Sequence, residues 1–135
     1  MNPNAKAQPV ATKLFLPSKR AACILGVLGL LALGTALWFR YFIVQNTELG
    51  IACEEGQQSF ICALRLAVIL LFVRGLFGWV ALAAAAVNLW RPNVLVFGVG
   101  MVFALLGLVL YNTRVAAIAV PLLVLSLARP SPGGR

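Results

Sequence analysis

Between Phe60 and Trp90 the chain runs for thirty-one residues, FICALRLAVILLFVRGLFGWVALAAAAVNLW, with no acid and only two cations, Arg65 and Arg74. About 20 apolar residues, rising 1.5 Å each, cross the ~30 Å hydrocarbon layer of a bilayer. A run this long and this apolar therefore predicts a membrane-spanning helix, here over 62–90, closed by Arg91-Pro92 because proline cannot continue a helix.

Composition points the same way. The chain is 62% hydrophobic and only 10% charged, with a mean hydropathy of +0.99. A globular domain of this length carries about a quarter charged residues. Eleven Lys/Arg stand against three Glu, but they are scattered between apolar runs. That placement reads as topology signals and headgroup contacts, and it argues against nucleic acid as a partner.

In chain order, residues 1–20 form a basic, proline-containing tail that reads as cytoplasmic. The apolar run 21–39 follows Lys19-Arg20 in the manner of a signal peptide. It is longer than an h-region and lacks an A-x-A site, so an uncleaved first helix is expected. Trp38, Phe39, Tyr41 and Phe42 around Arg40 make an aromatic belt at its exit. Residues 40–61 read as an outward loop, and they hold all three acids, Glu48, Glu54 and Glu55, together with Cys53. Two further spans are expected over 94–111 and 114–128, followed by a cytoplasmic tail, 129–135. The fourteen residues Val115 to Ala128 would rise only about 21 Å. Three spans with a re-entrant last segment are therefore the rival reading.

The expected fold class is an all-α integral membrane protein, a bundle of four transmembrane helices. Asn88-Leu-Trp-Arg-Pro and Ser126-Leu-Ala-Arg-Pro end the second and fourth spans alike, which fits two tandem helical hairpins. With the amino terminus inside, Lys6, Lys13, Lys19, Arg20, Arg91, Arg129 and Arg135 are cytoplasmic, and Arg40, Arg65 and Arg114 are outside. Seven against three follows the positive-inside rule. The expected location is a bacterial inner (cell) membrane with both termini cytoplasmic.

Small residues recur on single helix faces: Ala22, Gly26, Gly29 and Ala36 on the first helix, and Gly100, Ala104 and Gly107, aligned with Tyr111, on the third. Such faces let helices approach closely in lipid, either within one bundle or between copies or partners.

The inventory of reactive side chains is short. There is no His and no Asp, and no Glu falls inside an expected span, so no catalytic residue, metal site or cofactor is predicted. Cys53 and Cys62 are predicted to form a structural disulfide in an oxidising outer compartment. Their separation is far from the C-x-x-C of a redox centre, and Cys23 lies at the opposite membrane face, so a membrane thiol oxidoreductase ranks last.

Arg74 shares a helix face with Ala67, Gly78, Ala81, Ala85 and Asn88. A central arginine costs roughly 2.5–3.5 kcal/mol to insert. Two readings stand. Arg74 snorkels to the interface, or it faces the bundle and meets an anion or a partner's carboxylate, with Asn88 as a second polar group. The expected function is an accessory or scaffolding subunit of a membrane complex; a small transporter or lipid-carrier translocase is the alternative. The expected partners are the lipid bilayer and a membrane protein or second copy meeting the small-residue faces.

Overall fold

The computed structural model describes residues 14–56 and 59–130. Residues 1–13, with Lys6 and Lys13, residues 57–58 and residues 131–135, with Arg135, lie outside that description, and so do the expectations made for them.

The described chain is all-helical. Helix α1, Lys19–Trp38, is capped by Ser18, whose hydroxyl accepts from the Ala21 N–H, and it runs directly into a π-helical stretch, Phe39–Val44. Asn46 caps the short α2, Thr47–Glu54, by accepting from the N–H groups of Glu48 and Leu49. Ser59 caps α3, Phe60–Val73, and Gly75 precedes α4, Leu76–Trp90. After Arg91-Pro92, Asn93 caps α5, Val94–Val109, and a turn at residues 110–112 leads into α6, Thr113–Leu127. Serine and asparagine at these starts satisfy first-turn amides that have no partner within the helix.

The continuous stretch Lys19–Val44, 26 residues, is the one helix among the described residues that is long and apolar enough to cross a membrane. Helices α3 and α4 make a second such span if taken together, bent by 52° at their junction. Helices α5 and α6 are apolar but shorter, at 16 and 15 residues.

Three expectations are corrected here. The helix predicted over 62–90 is not continuous: it breaks at Arg74-Gly75, where Gly75 adopts the left-handed conformation (φ 67°, ψ 19°). Glycine has no Cβ to clash there, so the chain turns at little cost. The loop predicted over 40–61 is largely helical, occupied by the π-helical stretch and α2. Of the two hairpins expected, α5 and α6 do pack together, whereas α1 packs chiefly against α5 and not against the α3–α4 pair.

The core is built from small residues. Ala81, Ala85, Ala104, Ala119 and Leu123 form its buried cluster. A Cβ on Gly100 would sit 3.0 Å from Leu123 and 3.3 Å from Ala84, and one on Gly107 would sit 3.0 Å from the Ala116 Cβ. The face of α5 predicted from Gly100, Ala104 and Gly107 is therefore buried within the chain. The face of α1 divides. Ala36 is buried and Gly29 lies on Met101, whereas Ala22 is exposed and a Cβ on Gly26 would meet nothing within 4 Å.

The two ends of the described chain meet. Leu14 and Pro130 form an antiparallel bridge, and the Phe15 N–H donates to the Arg129 carbonyl at 2.8 Å. At the opposite end of the bundle, Arg40 at the end of α1 reaches the end of α5.

Candidate functional site

Where α1 ends, the π-helical stretch turns Arg40 toward α5. Its Nη1 donates to the Val109 carbonyl at 2.9 Å, one of the carbonyls that α5 leaves without an intrahelical partner. The guanidinium carbon lies 4.5 Å from the centroid of the Tyr111 ring, and Gln45 Nε2 donates to the Tyr111 hydroxyl at 2.7 Å. Tyr111 has φ 65°, a strained backbone for a bulky residue, and the cation–π contact helps to hold it there. Arg40 Nε is buried without a hydrogen-bond partner.

Cys53 on α2 and Cys62 on α3 lie at disulfide distance, with their Cα atoms 5.6 Å apart, and Cys23 is free and exposed. The pair brings α2 against the first turn of α3 and lines an open cavity of about 760 Å³. Arg65, Glu54, Phe60, Leu66 and Ile69 are among its lining residues. Arg65 passes close over Gly50: a Cβ at that glycine would lie 3.0 Å from Nη2. Arg65 Nε is buried and has no hydrogen-bond partner.

The two residues singled out as a candidate anion or partner contact are not brought together. Arg74 is exposed at the C-terminal cap of α3, on the break itself. Asn88 lies near the far end of α4, roughly 20 Å along that helix. It is fully buried; its Nδ2 donates to Ser126 Oγ at 2.6 Å, and its Oδ1 accepts from the Asn93 N–H at 2.8 Å. Ser126 in turn donates to the Leu123 carbonyl. The amide thus joins α4, α6 and the turn before α5, and its hydrogen-bonding capacity is largely spent on structure.

Sequence reasoning missed Arg65, Glu54 and the Arg40–Tyr111 pair. It assigned Arg65 to the outer side but gave it no role, because the approach of α2 depends on a loop fold that no local pattern announces. The break at Gly75 did carry a signal, since a basic residue followed by glycine is a common helix ending.

No family model matches the chain, and neither a curated protein nor a solved structure is similar to it.

Proposed function

We propose that the chain is a multi-pass integral membrane protein with four crossings, formed by α1, the bent α3–α4 pair, α5 and α6, and that it serves as an accessory or scaffolding subunit of a membrane complex. The membrane reading is supported by an inverted distribution of side chains. The largest fully buried side chains are Asn88 and Ser126, whereas Leu30, Phe60, Val73, Trp90 and Leu95 are each more than 70% exposed. Water would strongly disfavour that surface, and lipid does not. An even number of crossings fits the meeting of Leu14–Phe15 with Arg129–Pro130, which brings both ends to one face.

The bundle is short. Helices α4, α5 and α6 rise only about 22–24 Å each. Inclined at 52°, α3 lengthens its pair to roughly 35 Å measured along α4, enough for a ~30 Å hydrocarbon layer. In this arrangement Arg40 and Arg114 lie at the outer ends of their helices, Arg74 lies at the bend of the α3–α4 pair and snorkels outward, and Arg65 and all three glutamates belong to the outer cap. Lys6, Lys13, Lys19, Arg20, Arg91, Arg129 and Arg135 remain inside. Seven against four still follows the positive-inside rule and leaves the amino terminus cytoplasmic.

The scaffolding role is carried by α3. It has no buried residue and touches chiefly α4 and the π-helical stretch, yet apart from Arg65 it is apolar, and it is pinned at its start by the disulfide. An apolar helix held away from its own bundle offers a surface for a neighbouring transmembrane helix. The transporter reading loses support because Arg74 and Asn88 do not share a path. Photocrosslinking residues placed at Leu70 on α3 and at Leu30 on α1 test the role in intact cells. A discrete adduct of defined mass from Leu70, absent from Leu30, is expected. Only lipid adducts from both positions would count against a partner on α3.

A further inference from the structure

The open cavity beside the Cys53–Cys62 pair is lined by groups of both charges. Helix α3 begins there, with Phe60 in its first turn and Arg65 one turn further along. The helix dipole places positive potential there beyond the Ser59 cap, and the Arg65 guanidinium adds a full charge. Helix α2 ends at its negative carbonyl pole, and Glu54 lines the same space. Below Arg65 the wall continues along α3 as Leu66 and Ile69, which are apolar.

The guanidinium is built into this position. Gly50 is buried and leaves the room that Arg65 occupies, since any Cβ there would press on Nη2 at 3.0 Å and Nη1 at 3.4 Å. Its Nε is buried and donates to nothing. With Nε buried, the donors left for a ligand are Nη1 and Nη2, whose planar end suits a phosphate.

We infer that this cavity binds the headgroup of a zwitterionic aminophospholipid. The phosphate diester meets Arg65 and the start of α3, the primary ammonium meets Glu54, and the acyl chains leave along Leu66 and Ile69. A cavity of about 760 Å³ is within the range of small-ligand sites, roughly 300–1,000 Å³. The two charges explain the lipid class. A phosphatidylglycerol has no cation for Glu54, and the quaternary ammonium of phosphatidylcholine has no N–H to donate to a carboxylate. Phosphatidylethanolamine carries both the anion and the donor. This inference rests on the membrane reading above, because it takes its ligand from the bilayer.

The test uses the full-length chain, purified in mild detergent, delipidated and reconstituted in nanodiscs of phosphatidylethanolamine, phosphatidylglycerol and phosphatidylcholine in equal parts. Lipids retained on re-extraction are counted by native mass spectrometry. The wild type should retain phosphatidylethanolamine about tenfold over phosphatidylcholine, the factor that one charge-assisted hydrogen bond supplies. Arg65→Gln should abolish retention, Arg65→Lys should restore it in part, and Glu54→Gln should erase the preference among the three lipids. Arg114→Gln, which leaves the cavity untouched, should retain lipid as the wild type does. Equal retention of the three lipids by the wild type, or wild-type retention by Arg65→Gln, overturns the site. Displacement of the lipid by millimolar inorganic phosphate overturns the lipid assignment in favour of a soluble anion. A chain that fails to enter nanodiscs of any composition overturns the membrane reading itself, a result separate from the others.

Discussion

The side-chain amide of Asn112 donates a 2.7 Å hydrogen bond to the carbonyl of Gly75, so the turn between α5 and α6 holds the break between α3 and α4. Two residues far apart in sequence thereby fix the angle at which α3 leaves the bundle. Gly75 supplies the left-handed backbone, and Asn112 gives its carbonyl a second donor beside the Trp79 N–H. Gly75→Ala should destabilise the protein by about 1–2 kcal/mol, the cost of a Cβ in that conformation. Asn112→Ala should cost about 1 kcal/mol. Because both act on one contact, the double variant should lose less than the two single losses together. Reversible unfolding in mixed micelles measures all three, and strict additivity would show that the two residues act independently.

The small residues of the core make a second prediction. A Cβ on Gly78 would lie 2.6 Å from Asn112 Nδ2 and 2.9 Å from the Val115 Cβ, distances that require the helices to part. Gly78→Ala should therefore cost about 1–3 kcal/mol as overpacking. The same substitution at Gly26 meets open space and should be neutral or slightly stabilising, since alanine is the better helix former. A comparison of melting temperatures in one detergent decides the matter, and equal losses at the two sites would contradict the packing described.

Gly26 also shows how far the sequence could be read. Helix positions and small-residue faces follow from local periodicity, so α5 and its buried stripe of Gly100, Ala104 and Gly107 were legible. Which stripe finds a neighbour is set by tertiary arrangement, and half of the predicted face of α1 has none. The closeness of Cys53 and Cys62, at disulfide distance, was legible because only two cysteines fall on one side of the expected membrane. Arg65 was not assigned to a site because its environment comes from Gly50 and Glu54 on α2, a helix inside a segment read as loop. The π-helical stretch and the left-handed Tyr111 have no sequence signature of comparable strength. Both depend on Arg40 reaching the Val109 carbonyl across the bundle.

Cysteine accessibility gives a third prediction. In native membranes without reductant, alkylation should label Cys23 alone, since Cys53 and Cys62 are bridged. Closing a loop of this size is worth about 2–3 kcal/mol in the chain-entropy account, which is model-dependent. Cys53→Ser should therefore lower stability by that order and loosen α2 from α3. Modification of Cys53 or Cys62 before reduction would refute the bridge in the cell.

The buried pair Asn88–Ser126 gives a fourth. Ser126→Ala leaves an amide N–H of Asn88 without its acceptor in a site with no access to water. The expected cost is about 1–3 kcal/mol. Asn88→Ala should cost at least as much, because it also deprives the Asn93 N–H of its acceptor and loosens the turn after Arg91-Pro92. Unfolding in micelles measures both. A Ser126→Ala variant as stable as the wild type would mean that the amide finds another partner.

Arg74 supports the last prediction, and its position decides what to expect. A guanidinium in mid-bilayer with no counter-charge would be costly, and a bidentate anion contact would then be its reason for being there. The helix containing it ends at that residue, however, and Arg74 is exposed at the level of the Asn112 turn, where Arg114 also lies. In the four-crossing arrangement this is the bend of the α3–α4 pair, roughly 22 Å along α4 from its inner end, and the side chain snorkels outward beside α3 to reach the headgroups. An arginine placed so acts as an interfacial cation, for which no fork geometry is required. Arg74→Lys should therefore match the wild type in stability and oligomeric state, and Arg74→Leu should differ by no more than about 0.5 kcal/mol. Arg65→Gln, measured beside them, should lose lipid retention while Arg74→Leu keeps it. If Arg74→Leu instead abolished a measurable property that Arg74→Lys failed to restore, Arg74 would be the anion site and the assignment to Arg65 would be misplaced.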